Sequence, residues 1–264
     1  MLKLFRIELR KQVTSSTFWI IIVLHAVVLV LVAMNFRSLL QNANIIVNNA
    51  PDLDLALKPI LRFPDVWQNL TYIAGYFKII LALIVITSVS NEFAYGTARQ
   101  NVIDGLSRLD WLLSKIGLAK VLALFSTLIV VGIGLSLGLS GGEQVPFVDI
   151  LERMDYVLAY FIELVVYFIY ALFLALLLKR TGISIILLLV YDIILEPVFS
   201  WFVPGKLSNF LPMNTLDHLN TFPFAKYIGE PTYTIVGWEQ MAIAVGYGLA
   251  FGLFAYLVLK VKDL

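Results

Sequence analysis

Between Phe18 and Phe36 the chain reads FWIIIVLHAVVLVLVAMNF, with no Asp, Glu, Lys or Arg in the run. About 20 mainly apolar residues suffice for a helix to cross the hydrocarbon core of a bilayer. Six stretches meet that length: Thr17–Phe36, Thr71–Ser90, Leu112–Leu139, Tyr156–Leu178, Ile183–Phe202 and Glu239–Leu259. Hydrocarbon offers the backbone no hydrogen-bond partner, so a spanning segment must be a helix or part of a closed barrel. These runs lack the alternation of barrel strands. The expected fold is therefore an all-α polytopic membrane protein of six transmembrane helices, forming one transmembrane domain over residues 1–264. The first run is too long for the apolar core of a cleavable signal peptide, and no small-residue cleavage site follows it.

Composition agrees. Hydrophobic residues make up 60% of the chain and charged residues 14%, whereas soluble domains run near 45–50% and about 25%. A formal net charge of +1 gives no bias toward nucleic acid. With no cysteine there is no disulfide, thiol nucleophile or thiolate metal site.

Basic residues set the expected orientation. Placing both termini on the cytoplasmic side puts Lys3, Arg6, Arg10, Lys11, Arg99, Arg108, Lys115, Lys120, Lys179, Arg180, Lys260 and Lys262 at that side. It leaves Arg37, Lys58, Arg62, Lys78, Arg153, Lys206 and Lys226 opposite, diluted over longer loops. The expected location is the cell's inner membrane, multi-pass. Three external loops follow: Arg37 to Leu70, Ser140 to Asp155, and Val203 to Trp238. The last is broken by Pro204, Pro212, Pro223 and Pro231 and carries Phe210, Leu211, Met213, Phe222 and Phe224. Two readings of it are open, part-inserted amphipathic helices or a folded external cap.

The N-terminal MLKLFRIELRKQV sets Leu2, Phe5, Leu9 and Val13 at helical spacing, with Lys3, Arg6 and Arg10 elsewhere on the wheel. That pattern predicts an amphipathic helix over residues 1–15 lying along the inner membrane surface. Residues 91–107 form a polar block between the second and third spans. Glu92 follows the second span, and Gly96 can break the helix. Thr97 with Gln100 reads as a capping box. ARQNVID, containing Arg99, Gln100 and Val102, is a helix of about two turns. Gly105 terminates it, and Ser107 with Asp110 starts the third span. So short an element is unstable alone, and it is too polar to insert. It suits a rigid foot on the cytoplasmic face.

The pattern Glu92-x-x-x-Gly96-Thr97, Ser107-Arg108 and Lys115, together with six spans, internal termini, a basic amphipathic N-terminus and a large loop before the last span, resembles ABC-2-type membrane permeases over the whole chain. The chain departs from that family in having RQNVIDG where an apolar run and a proline usually precede the Ser-Arg pair. The resemblance implies a permease working as a dimer with a second permease chain, identical or a related paralogue, in membrane lipid. It implies that the short helix, with Glu92, Gly96, Thr97, Arg99, Gln100, Val102, Gly105, Ser107 and Arg108, couples to a separate ATPase subunit. ATP and Mg would be held by that partner and no cofactor by this chain, which has no G-x-x-x-x-G-K-[ST] loop. The cargo implied is amphipathic, peptide-like, lipid-like or drug-like. Two alternatives stay open: a complex of the same design that transmits force to an external partner, and a secondary transporter or channel. No pair of interrupted helices in matching positions, a mark of many secondary transporters, is visible.

Enzyme signatures are absent from the sequence, with no H-E-x-x-H and no G-x-S-x-G. No catalytic or metal-ligating residue is assigned. His25, within the first span, reads as a hydrogen bonder between helices. Four ionisable residues fall inside spans: Lys78, Glu163, Asp192 and Glu196. Such residues face protein or water and pair with one another. Lys78 and Glu163 are expected at similar depth, as a pair. Asp192 and Glu196, four apart, are expected on one helix face, either lining a central cavity or serving structure by capping backbone freed by Pro197 or binding a neighbouring helix. Gly134-x-x-x-Gly138 and Gly248-x-x-x-Gly252 permit close helix contact.

Overall fold

The computed structural model describes residues 2–46, 60–140, 145–224 and 236–261. Residues 47–59 and 225–235, which include parts of the first and third expected loops with Lys58, Lys226 and Pro231, lie outside the described residues. All regular elements among those described are helical. In chain order they are α1 (Leu2–Val13), α2 (Ser16–Ile46), α3 (Val66–Gly75), α4 (Lys78–Ala94), α5 (Thr97–Ile103), α6 (Arg108–Leu139), α7 (Phe147–Leu151) and α8 (Asp155–Leu178). There follow α9 (Thr181–Val190), a π-helical turn (Tyr191–Leu195), α10 (Glu196–Phe202), α11 (Gly205–Ser208), α12 (Pro212–Asp217), a 3₁₀ turn (His218–Asn220) and α13 (Trp238–Val261).

Among the described residues, five helical stretches are long and apolar enough to cross a membrane, and a sixth is obtained if α3 and α4 are counted together. The architecture is that of an all-α, multi-pass membrane protein. The expected second span, Thr71–Ser90, is not one straight helix, because α3 and α4 meet at a bend of 46°. The last turn of α3 tightens there. Tyr76 N–H donates to Ile73 O at 3.3 Å and Phe77 N–H to Ala74 O at 3.0 Å. Gly75 makes the bend compatible with its surroundings, since a Cβ there would stand 3.2 Å from Glu163 Oε1.

Helix α8 is the axis of the bundle, packing against α13, α4, α6, α3 and α9. Its sequence is apolar all round, as a helix surrounded by other helices requires. Tyr160, Tyr167, Phe168 and Leu164 are fully enclosed. Alanines 159, 171 and 175 let neighbours approach. The hydroxyl of Tyr160 lies 2.8 Å from Ser126 Oγ, which lies 2.9 Å from His25 Nε2. His25 therefore links α2 to α6 and α8.

Both glycines of the α6 motif serve contacts within the chain. A Cβ at Gly134 would fall 2.6 Å from Trp67 Cζ3, and one at Gly138 would strike the Phe63 ring. Trp67 is thereby seated in the core, its Nε1 donating to Ile150 O at 2.7 Å. In α13 only the first glycine is close-packed. Gly248 meets Val166, whereas Gly252 faces open space.

The described part of the Val203–Trp238 loop is folded onto the bundle. Met213, Leu216 and Leu219 are buried, while Phe210 and Phe222 stay about half exposed. Helix α1 also departs from expectation. Phe5 and Leu9 do point inward, and Gly117 of α6 leaves room for the Phe5 ring. Glu8 and Gln12 are buried beside them, whereas Val13 is exposed. The inward face of α1 is thus half polar, because it meets polar groups of α4 and α6 and not lipid alone.

Gly134→Ala should destabilise the protein by about 1–3 kcal/mol through overpacking against Trp67. Gly252→Ala should be neutral or slightly stabilising, because Ala is the better helix former. Thermal unfolding of the purified variants in detergent distinguishes the two; equal effects would mean that the α6 contact does not control packing.

Candidate functional site

Two polar clusters stand at opposite ends of α4. The first gathers α1, α4 and α6. Lys115 of α6 is 1% exposed, and its ammonium donates to Glu8 Oε1 at 2.7 Å, Glu92 Oε1 at 2.7 Å and Ser88 Oγ at 2.9 Å. Glu92 also accepts from Lys11 Nζ and from Trp111 Nε1, each at 2.6 Å. Gln12 Nε2 donates to Glu8 Oε1 and to Ser88 Oγ, both at 3.0 Å. Two cations and two carboxylates balance, and each partner is hydrogen-bonded.

Helix α5 hangs from this cluster. Gly96 and Gly105 bracket it with φ of +69° and +93°, a region glycine enters without a Cβ penalty. Ala98 is buried, while Arg99, Gln100 and Ile103 are exposed beside Tyr95. Three expectations for this segment change. Glu92 belongs to the buried network and offers nothing to an external surface. Thr97 is the first helical residue and no N-cap: its hydroxyl donates back to Glu92 O at 3.3 Å, and Gln100 turns to Asp104 Oδ1 at 3.1 Å. Arg108 donates from Nη1 to Leu259 O at 2.6 Å and Lys260 O at 2.9 Å. It thus holds the end of α13, where carbonyls lack partners and a cation is favoured. The Ser107 cap forms as expected, accepting from Asp110 N–H at 3.0 Å and donating to Asp110 Oδ2 at 2.6 Å. Val102 lies in α5.

The second cluster lines a cavity of about 560 Å³ between α3, α4, α8, α9, the π turn and the 3₁₀ turn. Lys78 Nζ donates to Glu163 Oε1 at 2.9 Å, with both residues buried, and reaches Asp217 Oδ1 at 3.4 Å. Glu163 Oε2 accepts from Asn220 Nδ2 at 2.9 Å. Asp192 Oδ2 accepts from the Tyr167 hydroxyl at 3.0 Å, and Lys78 Nζ lies 4.9 Å from the centre of the Tyr167 ring. Tyr72, Tyr76 and Phe222 form an aromatic wall, with Tyr72 edge-on to both neighbours.

Asp192 and Glu196 meet different partners. Pro197 cannot donate to Ile193 O, and the helix answers with a π turn in which Glu196 N–H bonds to Tyr191 O. Asp192 lines the cavity, whereas Glu196 is buried and accepts from Asn214 N–H at 2.6 Å. That bond satisfies a free donor in the first turn of α12.

Sequence reasoning found Lys78, Glu163 and Asp192 but missed Asp217, Asn220 and Tyr167, which come from a loop and from the middle of an apolar span. It also missed Glu8. The available signal was one acid inside an otherwise basic amphipathic helix.

Lys115→Met leaves Glu8 and Glu92 buried without their shared cation. It should destabilise the protein by about 3–5 kcal/mol, the range for breaking a buried pair, read as a lowered midpoint of denaturant unfolding. For the second cluster, Lys78→Met and Glu163→Gln should each destabilise, and the double variant should be milder than the sum. Strict additivity in that cycle would exclude energetic coupling across the 2.9 Å contact.

No curated protein matches the chain. Residues 60–264 match a family described as a protein of unknown function, DUF2705, a match that begins just before α3 and runs through both ends of α4, the cavity and α13. The chain belongs to that family.

Proposed function

We propose that this chain is the membrane subunit of an ABC-2-type transporter, with six spans when α3 and α4 are counted as one and with both termini on the cytoplasmic side. In this reading it carries no ATP chemistry itself. A separate ATPase grips α5, and ATP hydrolysis there drives export through a pair of permease chains in the cell's inner membrane. The observation that carries the proposal is the mounting of α5. It is a two-turn helix between two candidate spans, turned outward by two left-handed glycines and rooted beside a buried, charge-balanced network. Its exposed Tyr95, Arg99, Gln100 and Ile103 mix aromatic, cationic and aliphatic groups, which suits a protein partner. A loop with no such role has no need of that rigidity. The basic helix α1 against the same network supports the reading, because it gives the gripped end a second rigid element.

One observation favours a secondary transporter instead, namely the buried ion pair and carboxylates in a cavity flanked by two irregular spans. Dependence on an ATPase separates the readings. When the tagged chain is purified from its native membrane, a P-loop ATPase should accompany it, and ATP hydrolysis should be measurable in the complex. Arg99→Glu and Val102→Pro should each remove the ATPase while the permease stays inserted. Undiminished ATPase association and activity in both variants would overturn the assignment of α5. Because the chain has no cysteine, Gln100→Cys and Phe222→Cys report sidedness directly. An impermeant thiol reagent applied to intact cells should label only the second.

A further inference from the structure

From the cavity beside Lys78 we infer that the chain binds a small organic cation with an apolar body, held between Asp192, Asp217 and the aromatic wall. This concerns binding alone and stands whichever energy source drives release.

Four observations converge. The first is shape. A cavity of about 560 Å³ lies within the 300–1,000 Å³ typical of small-molecule sites. The second is charge. Lys78 is matched by Glu163 at 2.9 Å, and among the described lining residues the remaining charges are the carboxylates of Asp192 and Asp217. Asp192 has a hydroxyl donor in Tyr167, and Asp217 has only the long 3.4 Å contact to an ammonium already engaged. The described lining holds no further Lys or Arg, and its imidazole, His218, is engaged at Nδ1 by Asn214 O, so two carboxylates make it selective for positive charge. The opposite end of α4 provides the contrast, because its charges cancel and the smaller cavity beside it, about 270 Å³, is lined by Lys11 and by no carboxylate.

The third observation is the wall. Tyr72, Tyr76 and Phe222 present aromatic surface to the cavity, and the Tyr72 and Tyr76 hydroxyls are bonded to each other at 2.6 Å. Aromatic faces attract cations, and more strongly where water is excluded. Ile79, Leu189 and Ile193 supply the apolar remainder, so the ligand needs a hydrophobic body as well as a charge. The fourth is the backbone. The bend between α3 and α4 contributes Gly75, Tyr76 and Lys78, and the π turn contributes Asp192 and Ile193. Two unrelated interruptions of helical regularity open onto the same space. Irregular backbone at membrane depth is tolerated where it borders a cavity, and π turns recur at functional sites.

The test uses the full chain in lipid nanodiscs and two probes of matched shape, tetraphenylphosphonium and tetraphenylborate. Binding is read by equilibrium dialysis against empty discs of the same lipid. Tetraphenylphosphonium should bind saturably, one per chain, above the partitioning of empty discs, and tetraphenylborate should not. Asp217→Asn, at a side chain that is 62% exposed and so unimportant for folding, should weaken cation binding about tenfold. Combined with Asp192→Asn it should abolish saturation. Tyr76→Ala, also at an exposed position, should weaken binding several-fold without changing the preference for the cation. Discs of phosphatidylcholine compared with phosphatidylglycerol distinguish the ligand's source. Weaker probe binding in the choline lipid identifies a headgroup ammonium as a natural occupant, and equal binding identifies a free small cation. Binding equal to empty discs, equal binding of the two probes, or unchanged affinity in Asp217→Asn would each overturn the inference. None of these outcomes depends on an ATPase, so failure here and failure of the α5 assignment are read separately.

Discussion

The ammonium of Lys115 sits at 2.7 Å from each of two carboxylates, in a place that water does not reach. An unmatched charge there would be prohibitive, so Lys115 can be buried only if Glu8 and Glu92 arrive together. That requirement reaches far along the chain. It fixes the rotation of α1, because Glu8 must face inward and Phe5 then falls into the space left by Gly117. It fixes the end of α4, because Glu92 must turn away from solvent, which leaves Tyr95 and α5 to project. It fixes the start of α6, where Trp111 donates to the same carboxylate. Three elements remote in sequence are set by one cation.

The same physics gives a different result at the other end of α4. Lys78 and Glu163 satisfy each other there, with Asn220 completing the carboxylate. Asp192 and Asp217 add two further carboxylates, Asp217 with only a 3.4 Å contact to the shared Lys78, and open volume accompanies them. A balanced, fully bonded network rigidifies the fold. A cluster with surplus charge beside a cavity is the arrangement expected where a ligand completes the balance.

Much of this was legible in the sequence because the apolar runs are long and the medium admits so few folds. Helical class, the approximate spans, the short helix between Gly96 and Gly105 and the Ser107 cap all follow from local pattern. The pairing of Lys78 with Glu163 followed from equal depth and opposite sign, which is a constraint on energy and not on spacing. What escaped depended on tertiary approach. The bend after Gly75 reflects the nearness of Glu163, which lies in another helix. That Asp192 lines the cavity while Glu196 accepts from Asn214 N–H depended on where α12 folds back onto the bundle. The π turn at Tyr191–Leu195 was likewise one of several local answers to the missing Pro197 donor. Thr97 and Gln100 had the residue types of a capping box, but Gly96 set the chain one residue out of register for it. Asp217 and Asn220 could not be placed from a loop whose path the sequence does not specify.

The two clusters are joined by one continuous element. Helix α4 begins at Lys78 in the cavity and ends at Ala94, two residues after Glu92 and just before Gly96. At about 1.5 Å per residue, its length covers most of a bilayer core. Along it Leu81, Ala82, Val85, Ile86 and Val89 are packed against neighbours, so it moves as a rod or not at all. Its far end is the 46° bend at Gly75–Phe77, the one place along this pair where helical hydrogen bonding is already interrupted. Under the proposed function, a load applied to α5 would pass through Glu92 and α4 to Lys78, and the bend lies next to the ion pair. Displacing Lys78 relative to Glu163 alters the charge balance that Asp192 and Asp217 present to the cavity. A single helix, with an ammonium–carboxylate contact at each end, thus joins the segment proposed to meet a partner to the cavity proposed to hold a ligand.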